Sequence, residues 1–97
     1  MAGPDGVVVA FDGVRPDGTL LEAKGPGYAG LTKDGRFREL FGVSDALLDQ
    51  ADRQTKAAPG RAIEWHVAER EAANAMRTLI DDAGYSEQIT VVHTPVK

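Results

Sequence analysis

Between two apolar, β-branched stretches, residues 7–14 and 19–24, stands Arg15-Pro16-Asp17-Gly18, and this tetrapeptide constrains the fold more than any other stretch. Proline presets φ for the first central position of a type I turn, aspartate bonds to backbone two residues on, and glycine takes the left-handed position that follows. The chain is therefore expected to double back as a β-hairpin. Such a turn sets Arg15 opposite Thr19, and the same register sets Asp12 opposite Glu22. Side chains alternate along a strand, so Lys24 shares the face of Glu22. One patch of sheet then collects an aspartate, a glutamate and a lysine.

Like charges directly opposed across a ladder repel, so this patch calls for a compensating cation. Mg2+, or Mn2+ in its place, takes one or two carboxylates, keeps several waters and leaves positions open for phosphate oxygens. Asp12 and Glu22 are the candidate metal ligands, and Lys24 is the candidate group that orients the attacking water and offsets charge on the phosphate. That is the chemistry of metal-assisted phosphodiester hydrolysis. An exposed hairpin carrying a Lys–Glu pair has the same spacing, and the three residues alone do not separate the two readings. Asp17 would complete a literal Pro-Asp…Glu-x-Lys signature, but it stands at the turn tip. Five residues of strand, roughly 16 Å, separate it from Glu22, so its expected role is to shape the turn.

At 97 residues the chain makes one domain with one modest core. It has no cysteine and only two histidines, His66 and His93, which excludes disulfides and thiolate sites and argues against a histidine-rich zinc centre. No apolar run is long enough to span a bilayer. The net charge of −4 runs against a nucleic-acid partner, but residues 15–61 carry eight basic and seven acidic side chains, and the acidic excess lies outside them. Lys33, Arg36, Arg38, Arg53, Lys56 and Arg61 follow the hairpin in sequence, as a phosphate-guiding patch or as an ordinary mixed surface. From these, Lys33 and Arg53 are candidate substrate contacts, together with Tyr28 in the glycine-rich stretch 25–30, where a base can stack on the ring.

In chain order, residues 1–6 read as a leader or linker, and residues 7–97 as the folded domain. Residues 33–43 are irregular, with Phe37, Leu40 and Phe41 as core plugs. Ser44 reads as an N-cap and Pro59-Gly60 as a stop, which predicts a helix over residues 45–57. Leu47, Leu48, Ala51, Thr55 and Ala58 form its buried stripe, with Gln54 at the stripe's edge and Gln50 one turn before it. A glutamine there can reach a neighbouring polar patch, so Gln54 is a candidate partner for a carboxylate or phosphate. Residues 62–68 alternate as a strand with Trp65 inward, residues 71–83 repeat as a helix closed by Gly84, and residues 89–93 make a last strand. The order β-β-α-β-α-β predicts a mixed α/β sheet, begun by the hairpin and extended through helical crossovers.

The stretches FDGVRPDGTLLEAKGPGYAG, QADRQTKAAPGRAIEWHVAE and ITVVHTP together resemble the restriction-endonuclease-fold toxin domains of class five, found at the C-termini of bacterial polymorphic toxins and secreted effectors. The resemblance spans residues 7–95. It implies a PD-(D/E)xK nuclease fold, Mg2+-dependent cleavage of DNA, delivery into the cytoplasm of competing bacteria by a secretion apparatus, and a cognate immunity protein. Carried over by position, Asp12 and Glu22 would be metal ligands, helped by the carbonyl of Ala23, with Lys24 the catalytic lysine and Gln54 the glutamine of the following helix. An RNase on the same scaffold and a catalytically inactive interaction module are the alternatives. The helix that usually opens this fold has no room before Val7, which predicts that these residues are the tail of a longer effector.

Overall fold

The computed structural model describes residues 11–38 and 42–95. The leader, the first part of the expected strand at 7–10, and Leu40 and Phe41 lie outside the described residues. In chain order the elements are β1 (Gly13–Val14), β2 (Leu20–Lys24), a 3-10 turn (Ala29–Leu31), β3 (Thr32–Lys33) and β4 (Arg36–Phe37), followed by α1 (Val43–Ala57), β5 (Ile63–Val67), α2 (Arg70–Asp82) and β6 (Ile89–His93). Strands β1, β2, β5 and β6 form a four-stranded mixed sheet in that order. Within it β1 is antiparallel to β2, and β2, β5 and β6 run parallel. The fold is thus the mixed α/β arrangement expected from a restriction-endonuclease-like chain.

The turn closes as its residues dictate. The Gly18 amide donates to the Arg15 carbonyl at 2.9 Å, the Arg15 amide donates to the Thr19 carbonyl at 2.8 Å, and Gly18 has φ +92°. Asp17 Oδ1 accepts the Thr19 amide at 2.9 Å, which is the turn-shaping role expected of it. A second hairpin, β3 with β4, was not anticipated in the stretch read as irregular. Its turn is Asp34-Gly35, both at positive φ (54° and 78°), the pairing that a two-residue type I′ turn requires.

Parallel neighbours demand crossovers, and α1 and α2 supply them. The order β2-β5-β6 steps in one direction, so two crossovers of the same hand place both helices on the same face of the sheet. Burial agrees with this. Ile63, Trp65 and Val67 are buried while Glu64 and His66, between them, are half-buried on the outer face. The core is closed by Leu47, Ala51 and Ala58 of α1 and by Ala72, Ala73, Ala75, Met76 and Ile80 of α2. The alanines let α2 approach the sheet closely, and Phe37 plugs the end that β4 covers.

One expectation for α1 is corrected. The helix begins at Val43 with Gly42 in the flanking position, so Ser44 lies inside the first turn and caps nothing with its side chain. The expected stripe is buried at Leu47, Ala51 and Ala58 and half-buried at Leu48 and Thr55, and Gln54 belongs to it fully at 1% exposure.

Because Ala72 is fully buried where α2 meets its neighbours, Ala72→Leu is expected to overpack the core at a cost of about 1–3 kcal/mol. Urea denaturation should show a lower midpoint for this variant with the slope unchanged.

Candidate active site

The alternation along β2 turns Leu20, Glu22 and Lys24 toward the helices and Leu21 and Ala23 outward. Glu22 and Lys24 are consequently 8% and 7% exposed. Two charged groups at that depth need partners, and α1 provides them from positions one turn apart. Gln54 Nε2 donates to Glu22 Oε1 at 3.0 Å, and Gln54 Oε1 accepts the Trp65 Nε1 proton at 2.8 Å. Gln50 Nε2 donates to the same Glu22 oxygen while Gln50 Oε1 accepts from Lys24 Nζ. Indole and ammonium only donate, so both amide orientations are determined by their partners. Lys24 Nζ lies 3.8 Å from Glu22 Oε1 and 4.8 Å from the centre of the Trp65 ring. Among the described residues no buried side-chain polar atom is left without a partner.

Asp12 arrives from the other strand by a different device. The Leu20 amide bonds to Ala62 and the Lys24 carbonyl to Ala68, so the even-numbered backbone groups of β2 face β5 and the odd-numbered ones face β1. Gly13 is the partner of Leu21, yet the Asp12 amide also donates to the Leu21 carbonyl at 2.9 Å. Two residues of one strand therefore oppose one of the other, which is a β-bulge, and bulges re-aim side chains. Asp12 Oδ2 then accepts the Ala23 amide at 2.7 Å, completing with a side chain the ladder that the backbone of β1 abandons. The Ala23 carbonyl is turned to the same edge. Register 15/19 holds as expected, and at Asp12 the bulge replaces simple pairing with Glu22.

The two carboxyls come within hydrogen-bonding reach of each other, and they respond in opposite directions. Burial, reinforced by the contact with Asp12, raises Glu22 to about 7. Asp12 is held below its usual range by the Glu22 contact and by the Ala23 amide. Two interacting carboxyls titrate as a pair, and burial favours the buried partner as the holder of a shared proton. Burial also lowers Lys24, against the pull of both acids. The site as built is electrostatically costly: two acids and a buried amine whose charges are only partly compensated.

The donor set suits a hard divalent cation. Two carboxylates and a backbone carbonyl at one edge are oxygen ligands of the kind Mg2+ and Mn2+ prefer, and a cation there would take the place of the shared proton. Among the described residues no group of three or more His, Cys, Asp or Glu could hold a metal, so water and substrate would supply the remaining positions.

Sequence reasoning placed Gln54 correctly beside the acids but passed over Gln50. The signal was its position one turn earlier on the same stripe. The other candidates stand apart. Arg53 pairs with Asp49 at 3.0 Å on the exposed face of α1, and Lys33 is exposed in β3. Tyr28 packs against the core, and its amide, with those of Gly27 and Ala29, donates to Glu69 Oε1 at 2.8–2.9 Å. That carboxylate fills the glycine-rich loop and ties it to the start of α2. A cleft of about 670 Å³ beside α2 and β6 includes neither Asp12 nor Glu22.

The mixed sheet with its two helices is consistent with a restriction-endonuclease-like fold. The family model described as restriction endonuclease fold toxin 5 matches residues 4–70, a span that includes the hairpin, α1 and β5. The chain belongs to this family. No curated protein and no solved structure matches it.

Two outcomes are expected. A carboxyl raised in the folded state stabilises the fold below its unfolded value of 4.5, and that contribution is lost as pH rises through about 7. In EDTA the thermal midpoint should therefore fall between pH 4.5 and 7.5, and Glu22→Gln should remove this part of the fall. Second, Trp65→Phe strands the buried Gln54 oxygen and should cost about 1–3 kcal/mol in urea denaturation.

Proposed function

We propose that the chain is a Mg2+-dependent nuclease toxin domain that hydrolyses phosphodiester bonds of DNA. The observation that carries this reading is the meeting of Asp12, Glu22 and Lys24 at the hairpin, with Asp12 on the Ala23 amide and Glu22 and Lys24 held by two glutamines. Asp12, Glu22 and the Ala23 carbonyl would hold the cation. The chemistry it supplies when bound is polarisation of phosphate oxygens and easier deprotonation of water. Asp12, at the exposed edge, also offers an acceptor for a proton leaving the attacking water. Lys24 orients that water and offsets charge building on the phosphate. Gln50 and Gln54 hold Glu22 in place through its Oε1. Trp65 backs the lysine and holds Gln54.

Membership in a toxin family supports a nucleic-acid target inside a competing cell, with an immunity protein that covers the site. Delivery would come from an upstream domain or a secretion apparatus. Among the described residues no helix is long and apolar enough to cross a membrane. One observation favours a second reading, an interaction module without catalysis: Lys24 is only 7% exposed and is clamped by Gln50.

Purified protein is expected to nick supercoiled plasmid with Mg2+ and to stop in EDTA. Lys24→Ala and Glu22→Gln should lower the rate by at least roughly 100-fold with the circular dichroism spectrum retained, whereas Asp17→Ala should cleave normally. Unchanged cleavage in the first two variants sinks the assignment. Cleavage of RNA alone in a parallel incubation replaces the substrate, and absence of metal binding by calorimetry leaves the interaction module.

A further inference from the structure

The depression that takes in Asp12 and Glu22 also takes in Arg15 and His66, and its volume is about 250 Å³. Arg15 comes from the first position of the hairpin turn. His66 is paired with Ala23, and Glu64 with Leu21, so both lie on the outer face of the sheet beside the edge where β1 ends. Arg15 forks onto Glu64, with Nη1 on Oε2 at 3.0 Å and Nη2 on Oε1 at 2.9 Å. Glu64 Oε1 is met in turn by His66 Nε2 at 2.9 Å, and His66 Nδ1 by Thr94 Oγ1 at 2.8 Å. Three side chains in series, Glu64, His66 and Thr94, thus aim one guanidinium.

A lone exposed ion pair contributes little to stability, so the fold has small thermodynamic use for so long a relay. Arg15 nevertheless keeps 45% of its side chain exposed. A guanidinium has five N–H donors in a planar fork, and the two nitrogens on Glu64 leave other donors available. Lys24, the other cation near the acids, is buried and engaged. The basic residues Lys33 and Arg53 lie elsewhere.

We infer that Arg15 grips a phosphate of the DNA backbone adjoining the scissile one, with Glu64, His66 and Thr94 as positioning residues that hold its fork across the mouth of the site. This rests on the nuclease reading for the identity of the scissile bond. Nucleic acid approaches over the outer face of the sheet, where Arg15 and His66 line the depression, because the inner face is closed by α1. A planar fork suits a phosphate with two free oxygens, and no base recognition is implied.

The test reads binding of a short fluorescein-labelled DNA duplex by anisotropy in Ca2+, without turnover, and cleavage kinetics in Mg2+. Arg15→Gln is expected to weaken binding and raise KM roughly tenfold, with kcat unchanged and the slope of log K against log salt reduced by about 1. Unchanged affinity and slope, or a fall in kcat alone, overturns the inference. Should Arg15→Gln fail to fold, Arg15→Lys decides: it keeps the charge and loses the planar fork, so binding is expected to weaken with the salt slope retained, and wild-type affinity overturns the role. Binding of an RNA duplex but not of DNA overturns the substrate. The two readings separate cleanly. Normal cleavage by Lys24→Ala removes the proposed chemistry while leaving Arg15-dependent binding in place, and wild-type binding by Arg15→Gln does the reverse.

Discussion

Glu22 is the constraint to which the rest of this small domain answers. Its carboxyl lies under α1 with one oxygen taken by two glutamine amides from that helix, and the chain of bonds runs on to Trp65 at one end and Lys24 at the other. Every member is supplied by a different structural rule. Period-two alternation brings Glu22 and Lys24 to one face of β2, period 3.6 brings Gln50 and Gln54 to one face of α1, and parallel pairing brings Trp65 alongside Glu22. Remove any of these and a buried polar group is left facing apolar surroundings, where it costs more than an ordinary hydrogen bond returns. The core of alanines, Met76 and isoleucines beneath α2 carries most of the burial, and it leaves the polar network free to specify the site.

That division explains what the amino-acid sequence discloses and what it withholds. The first hairpin was legible because Pro16, Asp17 and Gly18 each have a local preference that needs no tertiary help, and the order of strands and helices followed from periodicity. The second hairpin was equally open to view in Asp34-Gly35 and was overlooked among basic neighbours. The bulge at Asp12 was not legible: it depends on how the hairpin edge is finished, and no residue type announces it. Gln50 carried only a faint signal, its place one turn before Gln54, since a half-exposed glutamine on a helix becomes informative only once its neighbour across the interface is known to be a buried acid.

Charge composition misled in both directions. A net −4 argues against nucleic acid, and the basic residues that soften that argument are dispersed over α1, the second hairpin and the loops. Besides the buried Lys24, the cation that shares the depression with the acids is Arg15, which the sequence presents as nothing more than a turn residue. Position on the outer face of the sheet, held there by Glu64, is what gives it a neighbourhood. The same holds for Glu69, whose three amide contacts make the loop after Lys24 a fixed wall in place of an open cradle.

The brevity of β1 has a consequence for how the molecule behaves over time. Among the described residues, Asp12 is fastened by its bonds to Leu21 and Ala23 and by the turn at Gly18, while Glu22 and Lys24 belong to the body of the sheet. Edge segments open at a smaller fraction of the global unfolding energy than central strands do. Fraying of that one edge would carry a single carboxyl away from its companion and leave helices, core and glutamines undisturbed. Readiness for chemistry and persistence of the fold are thus separate equilibria here, and a ligand or protein that clasps the outer edge acts on the first without touching the second.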